Sequence, residues 1–256
     1  MVQNRLITLP TLSGAPKSSS AWLRKLLLGL VVFGVITWGG TTAQTYLKMH
    51  EPLPDAGGRQ GRCVLWFVGS SSIYRWNELA SDMAPWITHN RGVGGAFLPE
   101  LRQRFANETV SVPPEAIIFY GGDNDIARGQ NATDTADQFR EFVMVKMAKM
   151  PRVPMLTLGV KPSPARWQLR NIQLAYDRAV RETAPTVPSL AFVDASHGLL
   201  VHGQPGPFFE PDGIHLSTAG YKVWARVIRQ ALAKMLPRST RDRCEHGQAN
   251  PASSGG

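Results

Sequence analysis

The stretch Asp212-Gly213-Ile214-His215 places a carboxylate three residues ahead of an imidazole, in a tight turn before an amphipathic run that opens at Ser217. A carboxylate so placed can hold the ring in one tautomer and make it a base. A hydroxyl for that base lies in Gly69-Ser70-Ser71-Ser72, which ends the apolar run Val64-Leu65-Trp66-Phe67-Val68. A serine where a buried strand turns into a helix, with a histidine and an aspartate on the same fold, points to acyl transfer through a covalent intermediate. A second Asp-x-x-His spacing, Asp194 to His197, follows another apolar run but has no strong helix behind it. It reads as a strand-end residue and an ordinary loop residue. The six histidines are scattered and the two cysteines are far apart. No metal-ligand spacing is present, so neither a metal nor another cofactor is expected.

The elements that must position these residues alternate along the chain. Apolar runs at Val64–Val68, Trp86–Thr88, Ala116–Tyr120, Met155–Val160 and Leu190–Val193 read as strands. Helical patterns lie near Tyr74–Asp82, Leu98–Phe105, Thr133–Met150 and Ala165–Thr183, and a last helix runs from the N-cap Ser217 to about Leu236. Such alternation predicts a three-layer α/β/α sandwich around a parallel five-stranded, flavodoxin-like sheet of order 2-1-3-4-5, with ligands beyond the carboxyl ends of the strands.

The chain of 256 residues suits one sizeable domain. Of its net charge of +9, Arg5, Lys17, Arg24 and Lys25 contribute four, in a region without acids. The remaining +5 shows no basic stripe interleaved with aromatics, so no nucleic-acid partner is expected. Between Lys25 and Lys48 lie 22 uncharged residues. As a helix they would extend about 33 Å, against a hydrocarbon thickness of about 30 Å. The predicted organisation is a disordered cytoplasmic lead (1–21), a transmembrane signal-anchor or a cleaved signal peptide (22–43), a linker (44–61), the domain (62–237) and a disordered tail (238–256). Either reading of 22–43 exports the domain to the periplasm or the cell exterior. One keeps it on the membrane through the N-terminal helix and the other secretes it. Cys63 precedes the first core strand and Cys244 follows the last helix, which should return toward that strand. A disulfide joining the domain ends suits an exported chain, with two unrelated thiols as the alternative.

Four unusual segments each follow a predicted strand, and in a parallel sheet all four reach the same edge. They are Gly69–Ser72, Asn90-Arg91-Gly92-Val93-Gly94-Gly95, Gly121-Gly122-Asp123-Asn124-Asp125 and Asp212–His215. Taken in order they resemble the blocks of the SGNH (GDSL-like) hydrolases. The branch that matches best carries Phe-x-Gly-Ser-Ser-Ser-Ile in its first block, here Phe67–Ile73 with Trp76 after it. Gly122–Asp125 resembles the third block, Asp212–His215 with Gly220-Tyr221 the fifth, and Lys161-Pro162-Ser163-Pro164-Ala165-Arg166 also looks like that branch.

The resemblance implies Ser71 as nucleophile, His215 as the base that takes and returns its proton, and Asp212 as the group that orients His215. Ser70 and Ser72 are the fallback nucleophiles. It also implies an oxyanion hole made by the backbone N–H of Ser71, the backbone N–H of Gly95 and the side-chain amide of Asn124. Two departures stand out. Ser70 replaces the aspartate of the commoner Gly-Asp-Ser, and Ala96 stands where many relatives carry an aspartate. The expected function is an exported, membrane-anchored serine esterase acting on a small-molecule or glycan ester. The alternatives are an O-acyltransferase acting on an envelope glycan and a non-catalytic binding module on the same fold. Trp76, Trp167 and Phe208-Phe209 are candidate linings for an acyl or sugar site.

Overall fold

The computed structural model describes residues 51–55, 61–109 and 112–246. The segment 22–43 and the lead before it lie outside the described residues. Among the described residues no helix is long and apolar enough to cross a membrane.

The chain enters the domain through β1 (Val64–Gly69), every residue of which is buried. Its side chains alternate between two cores. Val64, Trp66 and Val68 join one cluster, and Leu65 and Phe67 the other. A strand covered on both faces has no polar side to show, which is why it reads as an unbroken apolar run. β2 (Ile87–Gly92), β3 (Ala116–Tyr120), β4 (Met155–Leu158) and β5 (Leu190–Val193) complete a parallel sheet of order β2-β1-β3-β4-β5, as expected. The register levels the carboxyl ends that matter, with Gly69 opposite both Gly92 and Tyr120.

One face of the sheet is covered by α1 (Ser71–Tyr74), α2 (Leu79–Asp82) and the long α7 (Thr218–Met235). There Trp76, Tyr221, Trp224 and Ile228 pack on Phe67 and Tyr120. The other face carries α3 (Leu98–Ala106), α5 (Ala132–Lys149) and α6 (Arg170–Thr183), with Phe119, Phe139, Phe142 and Tyr176 between layers. A short α4 (Asp123–Ala127) follows β3, and a two-stranded hairpin, β6 (Leu200–Val201) with β7 (Gln204–Pro205), precedes the Asp212 turn. Trp76 is 1% exposed and stacks on Tyr221, so it is a core residue rather than a site lining.

Three differences from the sequence reading have physical causes. The second strand runs on to Gly92, through polar residues that read as a loop. Arg91 can sit inside because its guanidinium stacks on the Trp66 ring at 3.6 Å and pairs with the buried Glu108 carboxylate at 2.6 Å. The same carboxylate accepts the Leu53 N–H at 2.7 Å, so residues read as linker dock on the domain and Leu53 is buried. At the other end the chain continues past residue 237 into α8 (Arg238–Arg241) and on to a fully buried Cys244, instead of fraying as a tail.

Cys244 is bonded to Cys63 at an S–S distance of 2.11 Å, across a separation of 181 residues. Closing so long a loop in the unfolded chain removes a large conformational entropy. Replacing both cysteines by serine is expected to cost about 3–5 kcal/mol. Urea unfolding of the double variant beside the oxidised parent measures it.

Candidate active site

The geometry begins at the end of β1. Ser70 is the N-cap of α1 in extended conformation, and its N–H donates to the Tyr120 carbonyl at 3.1 Å. That bond turns the chain off the sheet edge and sets Ser71 as the first helical residue. Two side chains then pin α1. The Asn90 amide donates to the Ile73 carbonyl at 2.8 Å, and the Tyr221 hydroxyl donates to the Ser72 carbonyl at 2.9 Å. Ser70 and Ser72 are buried to 3% and 1% exposure, whereas Ser71 is half-buried. Of the three hydroxyls, Ser71 Oγ is the one that meets an imidazole, 2.9 Å from His215 Nε2.

His215 is delivered by a turn closed on itself. Glu210 N–H donates to the His215 carbonyl at 2.8 Å and Gly213 N–H to the Glu210 carbonyl at 2.9 Å. Gly213 has φ +64°, a left-handed conformation that costs glycine little. Its carbonyl accepts the Ala165 N–H at 3.0 Å, which ties the turn to the segment Pro164–Leu169. Asp212 divides its carboxylate between two tasks. Oδ1 accepts the N–H groups of Ile214 and His215 at 2.8 and 2.9 Å, and Oδ2 lies 2.6 Å from His215 Nδ1. Desolvation favours the neutral acid, but the hydrogen bonds from the His215 ring and from the two backbone groups outweigh it. The carboxyl stays well below the usual carboxylate range. An ionised Asp212 at Nδ1 leaves Nε2 free to accept a proton from Ser71.

Asn124 lies on α4, and its amide orientation is fixed from both sides. Oδ1 accepts from Nη1 and Nη2 of Arg166, each at 3.1 Å, and Nδ2 donates to the Ala96 carbonyl at 3.0 Å. Gly95 precedes that carbonyl with φ +73°, and a side chain there would meet nothing within 4 Å. The glycine is therefore required by backbone conformation, not by crowding within the protein. The loop it belongs to is held by Asp125, both of whose carboxylate oxygens accept the Leu98 N–H at the start of α3 (3.1 and 3.3 Å). Burial pushes the Asp125 carboxyl up to about 6. Ala96 thus needs no acid of its own to pin the loop.

Residues 56–223 match the model of the GDSL-like Lipase/Acylhydrolase family. The chain belongs to that family. As an SGNH-type hydrolase it is an enzyme that cleaves carboxylic esters. No curated protein matches its sequence. Solved structures share the fold at low identity. A GDSL-like lipase from Bacteroides thetaiotaomicron is 20% identical, with TM-score 0.58 over 71% of this chain and 95% of that one. A family 3 carbohydrate esterase from Clostridium thermocellum is 19% identical, with TM-score 0.52 over 72% and 100%. A variant of an acetyl-xylooligosaccharide esterase from Geobacillus is 18% identical, with TM-score 0.55 over 67% and 94%.

This GDSL-like hydrolase also holds a buried ionic cluster under Asn124 that spacing did not single out. Asp123 Oδ2 meets Lys161 Nζ at 2.6 Å, Arg166 Nη1 at 2.9 Å and the Tyr120 hydroxyl at 3.1 Å, and Gln173 Nε2 reaches Oδ1 at 3.3 Å. Burial alone would push the Asp123 carboxyl up. The two cations outweigh it and hold it below its ordinary value. The signal available in sequence was the Lys161–Arg166 segment, where two cations flank three residues of Pro-Ser-Pro and an alanine.

Asp177 anchors the start of that segment. Its two oxygens accept the Val160 N–H at 2.9 and 3.2 Å, and burial pushes the carboxyl up to about 7. In the unfolded chain the same group titrates near 3.9. The native state therefore holds a proton that the unfolded state has lost, and stability falls as pH rises from about 4 to about 7. Asp177→Asn removes this titration. Between pH 5 and 7 the parent is expected to lose about 2 kcal/mol relative to the variant, read from denaturant midpoints at the two pH values.

Proposed function

We propose that this hydrolase works through an acyl-enzyme on Ser71, with His215 as base and acid and Asp212 as its orienting partner. The observation that carries the reading is the unbroken chain of contacts from Asp212 Oδ2 through the imidazole to Ser71 Oγ, at 2.6 and 2.9 Å. Ser71 Oγ attacks the ester carbonyl and gives its proton to His215 Nε2. The tetrahedral oxyanion is met by the backbone N–H groups of Ser71 and Gly95 and by Asn124 Nδ2. Collapse expels the alcohol, which takes the proton back from Nε2. A water molecule then attacks the acyl-enzyme, passing its proton to Nε2. Ser71 leaves with that proton and the carboxylic acid is released. Asp212 stays ionised throughout and stabilises the imidazolium.

For the substrate we favour an ester of a small molecule or glycan with a short acyl group. Beside His215 lies a cleft of about 540 Å³ with a mixed lining, Arg75, Glu78 and Glu210 among its polar residues and Pro211, Leu216 and Tyr221 among its apolar ones. The charged and polar part of that lining could hold the hydroxyls of a small alcohol or sugar. We also place the domain outside the cytoplasm. The Cys63–Cys244 bond belongs to an oxidising compartment, and residues 22–43 would hold the domain at the outer face of a membrane.

A fluorophosphonate probe tests the covalent reading. It is expected to label the folded protein once, on the tryptic peptide containing Ser71. A folded, ester-cleaving protein that resists the probe, or carries it on another residue, would overturn the assignment. An ester panel from acetyl to long-chain substrates, acetylated sugars included, fixes the acyl preference. Diversion of the acyl group from water to an added sugar would make the enzyme a transferase.

A further inference from the structure

We infer that Arg166 is a positioning residue for the oxyanion site, acting through Asn124. This rests on the reading of Asn124 as an oxyanion donor. A side-chain amide can present its oxygen or its nitrogen to a given point, and only the nitrogen can stabilise a developing negative charge. The surroundings of Asn124 decide between the two. A guanidinium carries donors only, so the group facing Arg166 Nη1 and Nη2 at 3.1 Å must be Oδ1. A backbone carbonyl is an acceptor only, so the group facing the Ala96 oxygen at 3.0 Å must be Nδ2. With one Nδ2 hydrogen given to Ala96, the second remains for the substrate oxyanion.

Arg166 adds more than orientation. Two charge-assisted bonds to Oδ1 draw electron density from the amide and make its N–H a stronger donor. The guanidinium is itself preset. Nη1 pairs with Asp123 Oδ2 at 2.9 Å, and Asp123 is in turn held by Lys161 at 2.6 Å. One carboxylate between two cations leaves the cluster with a net positive charge behind Asn124. A preorganised positive field of that kind favours a negative transition state without reorganising when it forms. Arg166 is 16% exposed in its side chain and Asp123 2%, so solvent screens the pair little. The backbone link from Ala165 N–H to the Gly213 carbonyl, at 3.0 Å, registers the same segment against the His215 turn.

The test is a double-mutant cycle on p-nitrophenyl acetate with Arg166→Gln and Asn124→Ala, singly and together, in the intact chain. Asn124→Ala alone is expected to lower kcat by about 100-fold or more. Arg166→Gln alone is expected to lower kcat by about 10–30-fold with KM within about twofold, and to add less than about twofold in the Asn124→Ala background. Equal losses from Arg166→Gln in both backgrounds would show a general structural role and overturn the inference. If Asn124→Ala leaves kcat unchanged, the oxyanion reading fails instead. Arg166→Lys guards against misfolding, since it keeps a cation for Asp123 but cannot fork the amide. It is expected to unfold with the parent and still lose kcat by about fivefold or more. A lysine variant with parental kcat would also overturn the proposal.

Discussion

Ser71→Ala and His215→Ala are each expected to lower kcat for p-nitrophenyl acetate by roughly 10,000-fold or more, while the thermal midpoint of Ser71→Ala stays close to the parent. The size follows from the linkage of the two groups. The hydroxyl is a poor nucleophile unless Nε2, 2.9 Å away, removes its proton as it attacks. Losing either partner therefore removes the whole step, and the double variant should be no worse than either single one. Packing changes little at Ser71, which is half-buried and loses a single oxygen, whereas the His215 side chain is only 12% exposed and its removal leaves a gap that costs some stability. Ser70 and Ser72 provide the control. Both are buried, so alanine at either position should leave the probe on Ser71 and shift kcat by far less. Parental turnover in Ser71→Ala would sink the covalent mechanism.

Asp212→Asn is expected to cost roughly 1,000–10,000-fold in kcat through a proton in the wrong place. Oδ1 already accepts two backbone N–H groups, so the asparagine oxygen would keep that position. Its nitrogen would then face His215 Nδ1 and donate to it. The imidazole would carry its own hydrogen on Nε2, pointing at Ser71 Oγ, and could no longer accept the serine proton. The turn survives because the backbone bonds survive, so stability should change little. Asp212→Ala loses those bonds as well and should lower both kcat and the thermal midpoint. A variant Asp212→Asn with parental kcat would show that the tautomer does not matter here.

The parts of this site that could be read from the sequence are those whose chemistry is local. Asp212 and His215 share one turn, and Ser71 follows a strand whose six residues are all buried, so the period of the pattern and the break in it mark both. The sheet order follows from alternation and handedness, which leave few topologies. β2 reads shorter than it is because its polar residues are satisfied from elsewhere, Arg91 by Glu108 and by the Trp66 ring. Leu53 and Cys244 carry no local signal of docking either, since Glu108 and Cys63, which hold them, each lie more than fifty residues away. Asp123 and Arg166 stand in segments that the resemblance marks, but their pairing is not legible, because an ionic cluster has no period. Its members come from α4, from the loop after β4 and from the Pro164–Leu169 segment, and only folding brings them together.

The bond between Cys63 and Cys244 encloses nearly the whole domain, from just before β1 to just past α8. A protease that nicks any exposed loop between them leaves two fragments still covalently joined. The piece bearing Ser71 cannot diffuse from the piece bearing His215. If the enzyme works outside the cell, as we propose, survival of the first cut becomes a property of the chain itself.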